Sequence, residues 1–392
     1  MGIRLLATLA ATSLLFTGTA VADDQQIDRK VIQQSLDQIA GTAAQGVQLR
    51  VTEGRHSFTA RAGTAELGSE RPVPLNGRFR AGSITKSFTS TVVLQLAGEG
   101  EVGLDEPVDR YLPGLVDPRI TVRQLLQHTS GLFNYTNAIG FSPQDFEPIR
   151  FKHWTPEEII AISTSRPLQF EPGTKWEYNN TGFVILGQLI EKITHQPYDR
   201  TVQQRVLRPL HLSDTTFPGD DPDIHGPHAH SYGLVNGKAT DTTRFNPSVF
   251  WAVGDVVTTT RDLDTFYTAL IGGKLLKPAQ QAELTKTTPA SPQYGLGLFV
   301  QQTPCGTTVL GHTGSVPGYG SYAFFSPDLQ RHAELSATAG LRATTGSSTR
   351  CSAERNASGL DELVDRRLPG FASLVLSTPD ARKRLALNAV FC

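Results

Sequence analysis

Three cysteines in 392 residues, Cys305, Cys351 and Cys392, leave room for one disulfide at most, and their spacing does not choose the pair. Net charge is equally scarce: 36 Lys and Arg stand against 37 Asp and Glu, a formal balance of −1. No basic field exists to draw nucleic acid or an anionic membrane surface. Long apolar runs are confined to the segment from Leu5 to Phe16, which is too short to cross a bilayer, so no membrane anchor is expected. The chain has no Pro, Ser or Gly linker, no low-complexity tract, no repeat of solenoid period and no phosphate-cradling glycine loop. These absences exclude beads on a string and a solenoid, and no cofactor is expected.

What is present begins with an address. Met1-Gly2-Ile3-Arg4, the apolar run, and Ala20-Val21-Ala22 before Asp23-Asp24 read as a basic n-region, an h-region and an A-x-A cleavage site. Export with removal of residues 1–22 is expected, giving a soluble, secreted protein in a compartment where a disulfide persists. The remaining length of about 370 residues exceeds one typical compact domain. Without a linker, two closely packed subdomains are expected.

Apolar residues at helical spacing over 27–39 precede two alternating segments, 47–51 and 56–60, joined by Thr52-Glu53-Gly54-Arg55. From about Pro74 to Pro247 the signals are mainly helical, at 83–97, 122–127, 156–163 and 182–194. Short alternating segments return at 295–301, 307–310, 319–325 and 332–338, before an amphipathic helix over 379–390. The early hairpin and the late strands can join in one antiparallel sheet covered by the two terminal helices. The expectation is an α/β (α+β) chain: residues 23–75 and 248–392 form the sheet subdomain, residues 76–247 an inserted helical subdomain, and the site lies at their junction.

Chemistry enters at Gly82-Ser83-Ile84-Thr85-Lys86, where a hydroxyl and an amine three residues apart share one face of a helix's first turn. The positive dipole end and free N–H groups there favour negative charge on the serine oxygen or an attacked carbonyl. Lys86 accepts the Ser83 proton once burial or neighbours lower its pKa. The S-x-x-K spacing alone occurs by chance on the order of once in a chain this long. Its partners follow downstream: Tyr178-Asn179-Asn180 as a Tyr-x-Asn, and His312-Thr313-Gly314 followed by Ser315.

In that order and spacing the three motifs resemble those of the penicillin-binding and serine β-lactamase superfamily, and within it the D-alanyl-D-alanine carboxypeptidases secreted by Streptomyces. Further blocks carry the resemblance: Tyr111-Leu112-Pro113-Gly114-Leu115, His128-Thr129-Ser130-Gly131-Leu132 and Tyr294-Gly295-Leu296-Gly297-Leu298. Residues 341 to 375 fit less well and read as an insertion. The resemblance implies a β-lactamase/transpeptidase-like fold with Ser83 as nucleophile, otherwise an N-cap serine, and Lys86 hydrogen-bonded to Ser83 and Asn180, otherwise a solvated lysine. Tyr178, otherwise a half-buried aromatic, becomes the general acid/base, a phenolate favoured between the cations Lys86 and His312. Asn180, otherwise a turn asparagine, orients Lys86 and donates to a substrate carbonyl.

The same resemblance makes the Ser83 and Ser315 N–H groups the oxyanion hole, and Thr313 and Ser315 hydroxyls substrate contacts. Gly314 leaves room for a substrate backbone along the strand. His312 stands where many relatives carry lysine, so its charge is expected to depend on pH. Trp251 falls beside the pocket or in the core, and Cys305 pairs with Cys392, leaving Cys351 over. One departure is Phe299, where the Streptomyces enzymes carry an arginine for the peptide's free carboxylate; a phenyl ring offers no charge-assisted hydrogen bond, and Arg342 is the alternative cation. His225, His228 and His230 read as loop histidines rather than a metal site, since no motif completes a ligand set. Asn134-Tyr135-Thr136 and Asn356-Ala357-Ser358 match glycosylation acceptors as patterns.

The leading functional expectation is a secreted serine carboxypeptidase acting on peptidoglycan-type D-Ala-D-Ala peptides and acylated by β-lactams. Its alternatives are a D-specific endopeptidase, amidase or esterase, a class C-like β-lactamase, and a non-catalytic sensor, the last disfavoured by the complete motif set.

Overall fold

The computed structural model describes residues 27–341 except Ala43, together with Val390 and Phe391. Chain order begins with α1 (Arg29–Thr42), β1 (Ala44–Glu53), β2 (His56–Gly63) and the short β3 (Phe79–Arg80). A helical stretch follows: α2 (Thr85–Glu99), α3 (Val122–Leu126), α4 (Pro143–Phe146), α5 (Pro156–Thr164), α6 (Asn180–Thr194) and α7 (Tyr198–Val202). Next come the ribbon β4 (Tyr232–Val235) and β5 (Lys238–Asp241), then α8 (Trp251–Gly254), β6 (Val257–Thr258), α9 (Thr260–Ile271) and α10 (Pro278–Leu284). The chain closes on β7 (Phe299–Gln302), β8 (Thr308–Val316), β9 (Tyr319–Phe325) and β10 (Arg331–Ala339).

Strands from both ends of the chain meet in one antiparallel sheet of order β2-β1-β10-β9-β8-β7. Period-two alternation gives that sheet two different faces. Val47, Leu49, Val51, Tyr322, Phe324, Leu335 and Ala337 form one core under Ile32 and Leu36 of α1 with Val390 and Phe391. Ala323 and Phe325 point the other way, into the large core built with Phe88, Phe183 and Phe266 of the helices. The expected hairpin, sheet and helical insertion are all present. The helix expected over 379–390 lies outside the described residues apart from its end, as does nearly all of 341–375.

Helix α2 passes between sheet and helical layer and is buried on every side from Thr85 to Leu94. Its hydroxyls therefore need partners. Ser87 Oγ shares a hydrogen bond with Tyr267 at 2.8 Å and donates to the Gly297 carbonyl at 2.8 Å. Thr89 Oγ1 donates to the Ala252 carbonyl at 2.8 Å. Gly100, at φ 85°, ends the helix in the left-handed conformation that favours glycine.

Three boundaries differ from expectation at the site. Ser83 is not in the first α-helical turn but in a 3-10 turn, Gly82–Ile84, that leads into α2. The strand expected over 295–301 shrinks to Phe299–Gln302, because Gly297 takes φ +85° hard against Ser90 and Lys86, and Leu296 and Leu298 are buried in the core instead. The strand expected over 307–310 runs on to Val316 and so includes His312-Thr313-Gly314. Since β7 pairs only with Thr308–Gly311, the outer edge of β8 beyond Gly311 is left to the serine turn.

That approach requires glycine on both sides. A Cβ on Gly82, at φ +55°, would lie 2.7 Å from the Ser315 nitrogen, and one on Gly314 would lie 1.8 Å from the Ala81 carbonyl oxygen. Gly314 is thus spent on docking the serine turn against the strand, not on room for a substrate backbone. Cys305 is disulfide-bonded, and Thr307 Oγ1 beside it donates to the Phe391 carbonyl at 3.3 Å; Cys392 lies outside the described residues. Gly314→Ala is expected to destabilise the chain by about 3 kcal/mol, the upper range for overpacking, in denaturant unfolding. An unchanged midpoint would show that the turn is free to shift.

Candidate active site

Ser83, Lys86, Tyr178 and His312 converge at the open edge of β8. Lys86 Nζ donates to Ser83 Oγ at 3.0 Å and to the Val253 carbonyl at 2.9 Å, and it lies 5.0 Å from the centroid of the Tyr178 ring. Tyr178 and His312 ring centroids are 6.2 Å apart. The spacing of Ser83 and Lys86 survives the change from α to 3-10 turn because both conformations return the side chain to one face after three residues.

Burial sets the charge state of this cluster. Lys86 is completely buried, and desolvation holds its amine well below the usual lysine range. A neutral amine at 3.0 Å can take the Ser83 proton directly. His312 is lowered to about 3, chiefly by burial, so it is neutral across the neutral pH range. This overturns the expectation of a pH-dependent cation there. Tyr178 moves upward through burial, with nearby Ser83 opposing the rise, so it is a phenol and not the phenolate expected between two cations. Its buried hydroxyl makes no well-formed hydrogen bond, leaving a donor for an incoming atom.

His312 is fixed by residues to which the sequence assigned no role. Its Nδ1 faces the Thr313 carbonyl, which can only accept, so Nδ1 carries the proton. Its Nε2 then accepts from the Tyr294 hydroxyl at 2.9 Å. Phe299 packs edge-on to Tyr294 at 4.8 Å and lies 4.9 Å from the His312 ring, so the wall formed here by the described residues is aromatic. His128, at φ 60°, accepts on Nδ1 from the Asn179 amide at 3.2 Å and packs 4.2 Å from the Tyr178 ring, which positions the tyrosine. Both residues lay inside recognised sequence blocks, but only their place in the fold reveals their contacts.

Asn180 departs from expectation. Its side-chain amide donates to Thr136 Oγ1 at 3.1 Å rather than bonding Lys86, whose second partner is the Val253 carbonyl. Thr136 donates to Asn134 Oδ1, which also accepts from the Asn180 backbone. The Asn134 sequon is therefore a buried brace of the site wall. Trp251 packs against Tyr198 at 5.3 Å and closes on Gly187, a core position; its segment serves the site through Val253. Thr313 and Ser315 are half-buried on β8. Each loop histidine has its own partner: His225 with Asp221, His228 with the Gly226 carbonyl and His230 with Asp241. Arg342 lies outside the described residues.

The shifts give a signed pH prediction. Catalysis that needs neutral Lys86 falls as pH drops through the depressed lysine pKa, while His312 contributes no limb near pH 6.5, the usual imidazole value. Tyr294→Phe, which orphans the His312 Nε2, is expected to lower kcat/KM about 10-fold or more and leave the acid limb in place. A wild-type limb that disappears in His312→Gln would assign the titration to His312 and refute the neutral-lysine account.

Known proteins are similar to this chain. A D-stereospecific amidohydrolase from Streptomyces sp. is 38% identical with a TM-score of 0.73, covering 79% of this chain and 94% of that one. The D-amino acid amidase of Ochrobactrum anthropi SV3, solved with D-phenylalanine, is 29% identical with a TM-score of 0.69, covering 80% and 92%. Penicillin-binding protein 4* of Bacillus subtilis (strain 168) is 28% identical over 281 residues, 67% of this chain, and the match spans only 60% of that protein's length. The Beta-lactamase family model matches residues 29–338, and the chain accordingly belongs to this family of β-lactamase-like and penicillin-binding serine hydrolases.

Proposed function

We propose that this protein is a D-stereospecific amidase or peptidase that works through an acyl-enzyme on Ser83, on substrates lacking a free carboxylate next to the scissile bond. The observation that carries this reading is the aromatic wall: Phe299, at the position where the resemblance implies an arginine for a free carboxylate, packs against Tyr294 and a neutral His312. A buried carboxylate without a partner is costly, whereas an amide or an aromatic group is accepted there. The D-specific amidohydrolase and amidase among the similar structures support the same direction. D-Ala-D-Ala carboxypeptidase activity becomes the second reading.

The residues fit a complete acylation cycle. The Ser83 proton passes to the Lys86 amine as Oγ bonds to the carbonyl carbon, and the Ser83 and Ser315 N–H groups receive the oxyanion. Tyr178 gives its proton to the leaving nitrogen and recovers one from the Lys86 ammonium, so the C–N bond breaks without a free strong base. Water then attacks the ester by the reverse proton route. β-Lactams, as strained amides, acylate the same oxygen. Export after loss of residues 1–22 and a Cys305–Cys392 bridge belong to this proposal, which places the enzyme outside the cytoplasm.

A four-substrate panel tests it: D-phenylalanine amide, L-phenylalanine amide, a D-Ala-D-Ala peptide and its amide. The D-amide is expected to exceed the L-amide by about 100-fold in kcat/KM, the span open to a well-shaped pocket, and the peptide amide to exceed the free acid. Phe299→Arg should reverse that second ratio, and Ser83→Ala should abolish every activity. A wild-type preference for the free carboxylate would sink the amidase reading and restore the carboxypeptidase.

A further inference from the structure

The inner face of β10 carries a polar cluster that this hydrolysis does not use. His332 and Glu334 are two residues apart on the strand and share one face, the face that α9 covers and into which Asp264 reaches. β10 is a central strand, where apolar side chains pack best, yet His332 is 5% and Glu334 0% exposed. His332 Nδ1 lies 3.3 Å from Glu334 Oε1 and 3.4 Å from Asp264 Oδ1. These separations are long for charge-assisted hydrogen bonds, which run about 2.7–2.9 Å. The three donor atoms lie within 4.8 Å of one another, and the two His332 separations match the edge between two ligands of a tetrahedral zinc ion, about 3.4 Å for metal–ligand bonds of about 2.1 Å.

Two orphaned atoms mark the same spot. Glu334 Oε2 is buried without a hydrogen-bond partner, and so is Thr52 Oγ1, from the residue directly across the β1–β10 ladder from His332. Arg50, across from Glu334, donates to Asp264 Oδ2 at 2.7 Å, while Oδ1 faces His332 with a long 3.4 Å contact from Thr268 Oγ1. Arg50 thereby holds the Asp264 carboxylate from behind, as outer hydrogen-bond partners hold metal ligands. The His332 ring is held flat against Phe325 at 4.7 Å.

The geometry points to a buried site for a divalent transition ion, zinc by preference, held by His332 Nδ1, Asp264 Oδ1 and the Glu334 carboxylate. One imidazole nitrogen and two carboxylate oxygens suit zinc, whereas calcium and magnesium favour six or more oxygens. The ion clips α9 to the sheet. Its role is stability, and it touches no atom of the reacting cluster.

The test uses the full chain, stripped with a chelator and titrated with zinc chloride, with calcium and magnesium chlorides as controls. Elemental analysis is expected to find one zinc per chain, and Tm to rise by about 5 °C at about a hundred-fold excess over Kd. Glu334→Gln and Asp264→Asn are expected to lose both responses. Asp264 is partly exposed, so Asp264→Asn decides the matter even where Glu334→Gln does not fold. A wild type that keeps no zinc and shows no Tm response, or zinc held undiminished by Asp264→Asn, overturns the site.

Discussion

An amine sealed from water beneath Ser83 governs this active site. Lys86 sits on a helix buried all round, and several kcal/mol of desolvation cost would attend a charge there. Burial pushes the amine toward its neutral form, bonded to one hydroxyl and one carbonyl. The same dry surroundings keep Tyr178 protonated and His312 neutral. Burial thus disfavours charge on every one of these polar groups. Hydrogen-bond donors aimed at the new oxyanion act most strongly in such a medium, because they need no reorganisation.

Sealing the amine demands close backbone packing. The serine turn lies against the strand edge that β7 leaves unpaired, and Gly82 and Gly314 are the positions where no side chain fits. Ser321 Oγ donates to the Ala81 carbonyl at 2.7 Å, fastening the turn to β9 as well. Helix α8 closes the other side and ends in the carbonyl that Lys86 uses. The nucleophile is therefore held by three elements drawn from residues 82–86, 251–254 and 308–325, and its position is a property of the whole core.

Sheet, hairpin and helical insertion were legible in the sequence, since each rests on alternation or helical spacing within a short window. So was the quartet Ser83, Lys86, Tyr178 and His312, whose residue types at that order and spacing are specific. What stayed hidden depended on three-dimensional surroundings. A glycine in His-Thr-Gly reads as room for substrate until Ala81 is seen beside it. Asn134-Tyr135-Thr136 reads as a glycosylation acceptor until burial turns it into the brace of Asn180. The charge of His312 followed from a solvent-exposed imidazole value, and burial, invisible in a motif, reversed it.

One sheet face makes the role of hydrogen-bond satisfaction plain. His312, Ala323, Glu334 and Arg50 lie in one register row across β8, β9, β10 and β1, so two buried polar clusters share a face with Ala323 between them. At the His312 end both ring nitrogens have partners, and the imidazole is a fixed neutral wall. At the Glu334 end a carboxylate oxygen and a neighbouring threonine hydroxyl have none. A buried orphan is retained at a cost of about 1–3 kcal/mol, and a family scaffold with a free choice of apolar residues on a central strand has no packing reason to keep one. The buried phenol of Tyr178 stands beside Ser83 without a well-formed hydrogen bond. The two ends of this row differ in that the His312 imidazole is fully paired, whereas the Glu334 carboxylate is shared between long contacts and an unpaired oxygen.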